Sequence, residues 1–189
     1  MPMNLLHRKL CSSKTWAEKV ERQLLPWSLD GVHLGDRALE IGPGYGANLR
    51  VLAELVPSLT ALEISEELLD GLRRDFPDRA EFVHGDGASM PLPDNEFSSV
   101  VCFTMLHHVP TPEQQDALFA EARRVLRPGG VFAGSDGVHG LAFRLIHLGD
   151  TYNPIPVATL PDRLHAAGFT DIEVTTRAAN LRWRAVAPA

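Results

Sequence analysis

The chain has 189 residues, the size of one domain with its own core, and 44% hydrophobic against 22% charged residues reads as a globular, water-soluble protein. A formal net charge of −6 suits neither nucleic acid nor an anionic surface, and the sequence holds no apolar run of about 18 residues to span a bilayer. Cys11 and Cys102 are too few for a disulfide framework or a cysteine zinc site, so no metal is expected.

The first residues lack the apolar stretch of a secretory signal, which makes the cytoplasm the expected address. Lys9, Lys14 and Lys19 lie around a helical pattern at about Trp16–Leu24 and read as its solvated face, since Glu18 and Glu21 interrupt them. From there short apolar runs alternate with helical stretches, the pattern of a parallel sheet covered on both faces. Strands are predicted at Ala38–Ile41, Leu59–Leu62, Glu81–His84, Ser98–Phe103 and Val131–Ser135. Cys102 falls inside an apolar run and reads as core.

Leu49, Leu52, Ala53 and Val56 follow helical spacing, stopped by Pro57. Ser65 is placed to cap a helix with Glu66 and Glu67 in its first turn. Thr111, Pro112 and Gln114 open another, with Gln114 positioned to close a capping box. A helix at about Leu160–Ala167 precedes two short strands, Ile172–Thr175 and Leu181–Ala185. In the second, apolar residues alternate with arginines, as in a half-exposed antiparallel strand.

The most informative segment runs from Ala38 to Ala47. An apolar run ends at Glu40-Ile41, and Gly42, Gly44 and Gly46 follow at alternate positions before a helix. Such a turn tolerates left-handed dihedrals and lets backbone approach a ligand closely. Gly42, Gly44 and Ala47 also fit the dinucleotide pattern, with Glu63 near the offset of a ribose-binding acid. Pro43 removes one N–H from the loop, an odd choice for cradling a pyrophosphate.

Glu40-x-Gly42-x-Gly44-x-Gly46 resembles the first motif of the class I S-adenosylmethionine (AdoMet)-dependent methyltransferases, in their small-molecule branch. The resemblance continues through Glu63, Gly85-Asp86-Gly87-Ala88, Pro93–Phe97 and Leu126–Gly130. It implies a single domain over 1–189, a three-layer α/β/α fold with a mostly parallel seven-stranded sheet ending in an antiparallel edge hairpin. A helical segment (1–34), a cofactor-binding core (35–136) and an insert with the hairpin (137–189) would make it up.

By position, the resemblance places Glu40 near the methionine end of AdoMet, with Gly42, Gly44 and Gly46 beside the cofactor. Glu63, with Ile64, would meet the ribose, and Asp86 the adenine amine beside Gly87 and Ala88. Phe103 and Leu106 would lie by the methyl group. Asp94 precedes a strand and reads as a turn residue.

Methyl transfer needs a base only where the nucleophile holds a proton of high pKa. His107 and His147 are the catalytic candidates; His108, His139 and Tyr152 are also in range. Neighbours point different ways, so His107 is expected at the substrate and His108 in a structural role. His147 and Asp150, three apart, could pair if helical. Trp16 and Trp27 could close the N-terminal segment over the cofactor. The motif of amine-methylating nucleic-acid enzymes is absent after Phe103, so a small-molecule acceptor, without nucleic acid or membrane, is expected. A non-catalytic AdoMet-binding protein and an NAD-dependent oxidoreductase are the alternatives.

Overall fold

The computed structural model describes residues 4–189, so the first three residues of the N-terminal segment lie outside it. Its elements, in chain order, are α1 (Leu5–Cys11), α2 (Lys14–Lys19), α3 (Leu25–Ser28), β1 (Arg37–Ile41), α4 (Leu49–Leu55), β2 (Ser58–Glu63), α5 (Glu66–Asp75), β3 (Glu81–His84) and β4 (Phe97–Phe103). α6 (Pro112–Val125), β5 (Leu126–Gly137), α7 (Leu141–Ile146), α8 (Leu160–Ala166), β6 (Thr170–Arg177) and β7 (Asn180–Val186) complete it.

The seven strands form one sheet in the order β3-β2-β1-β4-β5-β7-β6. β1 to β5 run parallel, and β7 pairs antiparallel with both β5 and β6. The chain steps outward from β1 to β3 and then returns to β4 on the other side of β1. Strand order therefore reverses between β1 and β4, where a parallel sheet opens a crevice at its carboxyl edge.

Alternation explains why these strands are buried on both faces. Leu39, Ile41, Val100 and Cys102 point into one apolar cluster, shared with Leu118 and Phe119 of α6. Their neighbours Ala38, Val101 and Phe103 point into the other, with Leu49 and Leu52 of α4 and Leu72 of α5. Cys102 is fully buried in the first cluster. The Ser65 and Thr111 hydroxyls accept the Leu68 and Gln114 N–H groups at 3.4 and 3.2 Å, capping α5 and α6. Gln114 itself borders the cleft described below.

The N-terminal segment is more broken than its sequence pattern. Between α2 and α3 lies a π-helical turn, Val20–Leu24, in which the Leu25 N–H reaches back five residues to the Val20 carbonyl. Pro26 brings no N–H to continue the ordinary ladder, and the widened turn absorbs the loss. Val20, Leu24 and Leu25 are buried against the sheet, and the Ser28 hydroxyl meets that of Ser135 on β5 at 2.8 Å.

The insert expected to be loop-rich contains α7, and it is joined to α1. Asn4, which caps α1, donates its side-chain amide to the Ile146 and Leu148 carbonyls at 2.8 and 3.1 Å. The two segments outside the core are thus stitched to each other.

Phe132 on β5 is fully buried between the rings of Phe119, Phe169 and Trp183, at centroid distances of 6.0, 5.4 and 5.6 Å. Phe132→Ala should cost about 3–5 kcal/mol. In urea unfolding the midpoint should fall while the slope stays unchanged.

Candidate functional site

The glycine loop leaves β1 through three left-handed residues, Gly42, Gly44 and Gly46, with φ of 68°, 57° and 76°. A Cβ at Gly42 would run into the Met105 side chain, and one at Gly46 into Phe76. At Gly44 a Cβ would meet nothing within 4 Å, because that residue faces open space. This space is a cleft at the carboxyl edge of the sheet, with about 1280 Å³ of empty volume including its mouth.

Gly42, Gly44, Glu63 and Ile64 border the cleft, as do Asp86, Gly87, Ala88 and Phe103. Three residues of the sequence-based set do not. Gly46 turns toward α5, Leu106 is fully buried in the core, and Glu40 lies sealed beneath the loop at 1% exposure. Asp94 instead receives the Arg124 guanidinium at 2.6 Å and serves the turn before β4.

Glu40 is the outlier of the site. Neither carboxyl oxygen has a hydrogen-bond partner among the described residues. Burial pushes its pKa from 4.5 to about 8. The neighbouring Asn48 opposes that rise but does not reach hydrogen-bond geometry, and the Glu63 charge adds to it. Glu63 is satisfied: its two oxygens accept the Gly44 N–H at 3.2 Å and the Ser65 N–H at 3.0 Å. Asp86 accepts the Ala88 N–H at 2.9 Å and leaves the rest of its carboxylate exposed. Among the described residues that border the cleft there is no lysine or arginine. With a carboxylate already on the loop amide, this wall is ill suited to a pyrophosphate.

The histidines are arranged differently from expectation. His107 and His108 lie in a 3-10 turn, Leu106–His108, and their rings stay in contact, with centroids 4.1 Å apart. His108 borders the cleft, however, whereas His107 is 2% exposed and faces inward. Asp136, at the end of β5, captures His107: its oxygens take the His107 N–H at 3.0 Å and Nδ1 at 2.5 Å. The position at the cleft expected for His107 is therefore occupied by His108.

His147 does not pair with Asp150. Helix α7 ends at Ile146, so the helical spacing fails, and His147 Nδ1 instead donates to the Phe143 carbonyl at 2.7 Å. Its Nε2 lies 3.0 Å from His107 Nε2, in the interior. Asp150 binds His7 Nδ1 at 2.8 Å and the Asn4 N–H at 2.6 Å. Burial, reinforced by His107, His7 and His147, holds His108 unprotonated with a pKa near 2. His147 is also lowered, mainly by burial.

His7, Cys11 and Trp16 bring the N-terminal helices to the cleft as its roof. Burial, then Asp150, pushes the Cys11 thiol up to about 11, so it stays protonated. Trp27 lies elsewhere, under the Arg177 guanidinium at 4.6 Å. His139 and Tyr152 meet each other at 3.2 Å without bordering the cleft.

His7 and Asp136 were missed, and Asp150 was given the wrong partner. Asp136 carried a usable signal, since it ends a parallel strand on the same edge as Glu40, Glu63 and Asp86. His7 carried none, because only folding brings α1 to β4.

Residues 39–134 match the methyltransferase domain family. The sterol 24-C-methyltransferase ERG6B of Gibberella zeae is 33% identical over 108 residues, covering 54% of this chain and 28% of that enzyme. The fatty-acid O-methyltransferase of Mycolicibacterium smegmatis is 34% identical over 105 residues, 54% of this chain and 37% of its own length. The aligned stretch thus spans about a third of the curated relatives. Among solved structures, phosphoethanolamine N-methyltransferase 2 of Haemonchus contortus, in complex with AdoMet, shares the fold at a TM-score of 0.74. Its identity is 16%, over 97% of this chain and 60% of that one. The sheet order, the glycine turn and the match across the core agree: the chain belongs to the methyltransferase domain family, the class I AdoMet-dependent methyltransferases.

Proposed function

We propose that the chain transfers a methyl group from AdoMet to a small, partly apolar acceptor. The observation that carries this reading is a set of carboxyls without lysine or arginine: Glu63 and Asp86 border the cleft, and Glu40, unpartnered among the described residues, lies beneath its glycine loop. Such a group calls for a cationic ligand, and the ammonium of AdoMet is one. Glu63 would hold the ribose hydroxyls and Asp86 the adenine amine, while Gly44 leaves room for the cofactor where any side chain would intrude.

When bound, AdoMet supplies an electrophilic methyl group on a sulfonium. The protein's part is alignment and exclusion of water. Trp16, Met105 and Phe103 give the cleft apolar walls, and His7 and His108 are the polar groups at its roof. His107 and His147 lie behind that wall and would act as positioning residues for the roof. The names of the three relatives span C-, O- and N-methylation, so a scaffold that mainly aligns its reactants serves different acceptor atoms.

The chain incubated with methyl-labelled AdoMet and a panel of fatty acids, phenols and sterols should yield organic-soluble label with at least one class. No transfer to any of them, with S-adenosylhomocysteine still bound, would point to a non-catalytic AdoMet-binding protein. Glu63→Ala should weaken S-adenosylhomocysteine binding by about 1.5–3 kcal/mol, the worth of a hydrogen bond to a charged group. Unchanged affinity in equilibrium dialysis would remove Glu63 from the ribose role.

Glu40 also predicts a pH dependence. Its folded pKa is raised, so its contribution to stability is full below the unfolded value and is lost as pH climbs through about 8. Glu40→Gln should therefore gain several degrees in melting temperature over the native, ligand-free chain at about pH 9. The difference should vanish near about pH 4. A constant offset across that range would contradict the raised pKa.

A further inference from the structure

We infer that His7, His108 and His147 form a binding site for a divalent transition metal of the zinc class, in the roof of the cleft and with a coordination position open to the acceptor. The three come from α1, from the turn after β4 and from the end of α7. One ring nitrogen of each lies within 4.8 Å of the others. Imidazole nitrogens around a tetrahedral zinc sit about 3.3 Å apart, given Zn–N bonds of about 2.0–2.1 Å. Small rotations shared among the rings would close the difference.

The surroundings of each ring fit metal ligation better than plain packing. A ligating histidine has its other nitrogen fixed by a carboxylate or carbonyl, which sets tautomer and orientation. Here His7 Nδ1 is held by Asp150 at 2.8 Å and His147 Nδ1 by the Phe143 carbonyl at 2.7 Å. One nitrogen of each of the three rings converges with the others.

Charge supplies an independent reason. The Asp136 and Asp150 side chains are 0% and 1% exposed, and their partners are His107, His7, Asn4 and backbone N–H groups, with no lysine or arginine. Two buried carboxylates need compensating positive charge. A divalent ion would supply it, and on binding His147 Nε2 it would replace that nitrogen's 3.0 Å contact with His107 Nε2.

Three histidines with a vacant position form the open type of zinc site, and imidazole ligands suit this class of metal. His7 and His108 border the cleft, so a fourth ligand would enter from the acceptor side. An acceptor oxygen held there would be oriented and acidified by the metal. That role rests on the methyl-transfer reading; the site itself does not.

The test uses untagged chain stripped with a chelator and titrated with Co2+ alone, without cofactor, followed by Zn2+. One equivalent of Co2+ should produce the intense visible bands of a four- or five-coordinate ion, and Zn2+ should displace it. His7→Gln and His108→Gln should each abolish those bands, with circular dichroism checking that the metal-free variants remain folded. Asp150→Asn should weaken binding by about 10–100-fold, the effect of losing an orienting partner. Absence of binding at micromolar Co2+ would mean that the rings share protons only. Bands that survive in both histidine variants would overturn the ligand set, as would a sulfur charge-transfer band lost in Cys11→Ser. None of these outcomes touches cofactor binding, so a failed titration leaves the methyl-transfer reading standing.

Discussion

The site is organised around one buried carboxyl without a hydrogen-bond partner among the described residues. Glu40 ends the central strand β1, sealed under the glycine loop, with neither oxygen in a hydrogen bond. A carboxyl in that position costs stability unless it stays protonated or meets a cation, and the described residues bordering the cleft include no lysine or arginine. The rest of the site follows from where that strand lies. Strand order reverses beside β1, which opens the cleft, and the glycines keep its floor free of side chains. Glu63 ties the loop amide down, fixing the turn before any ligand arrives.

The roof is built from what lies outside the family core. Asp150 holds Asn4 and His7, while His107 links Asp136 on β5 to His147 beyond α7. The N-terminal helices and the insert therefore act as one cover rather than two flaps. The family match stops at residue 134, just short of Asp136. Relatives that share the core and methylate carbon, oxygen or nitrogen would then differ mainly in such covers.

Local chemistry was legible in the sequence and long-range convergence was not. All seven strands, the caps at Ser65 and Thr111 and the edge hairpin could be read because alternation, capping and turn residues act within a few positions. The acids at the ends of β1, β2 and β3 could be read for the same reason, each being tied to its own strand end. The choice between His107 and His108 could not. It depends on Asp136, 29 residues away, reaching one of two adjacent rings. The partner of Asp150 was misjudged because α7 stops at Ile146, before either member of the His147–Asp150 pair, and His7 lies 143 positions away. The break in the N-terminal helix turns on Pro26, which the helical periodicity of its neighbours concealed.

The most direct test of this account is calorimetric titration of the purified, ligand-free chain with S-adenosylhomocysteine, with 5′-methylthioadenosine and NADH as controls. The first carries the ammonium that Glu40 calls for, and the second keeps the nucleoside but lacks it. Micromolar binding of S-adenosylhomocysteine, much weaker binding of 5′-methylthioadenosine and none of NADH is the predicted result. Equal affinity for the first two would detach Glu40 from the cofactor's amino acid end. Binding of NADH in place of S-adenosylhomocysteine would contradict the account altogether.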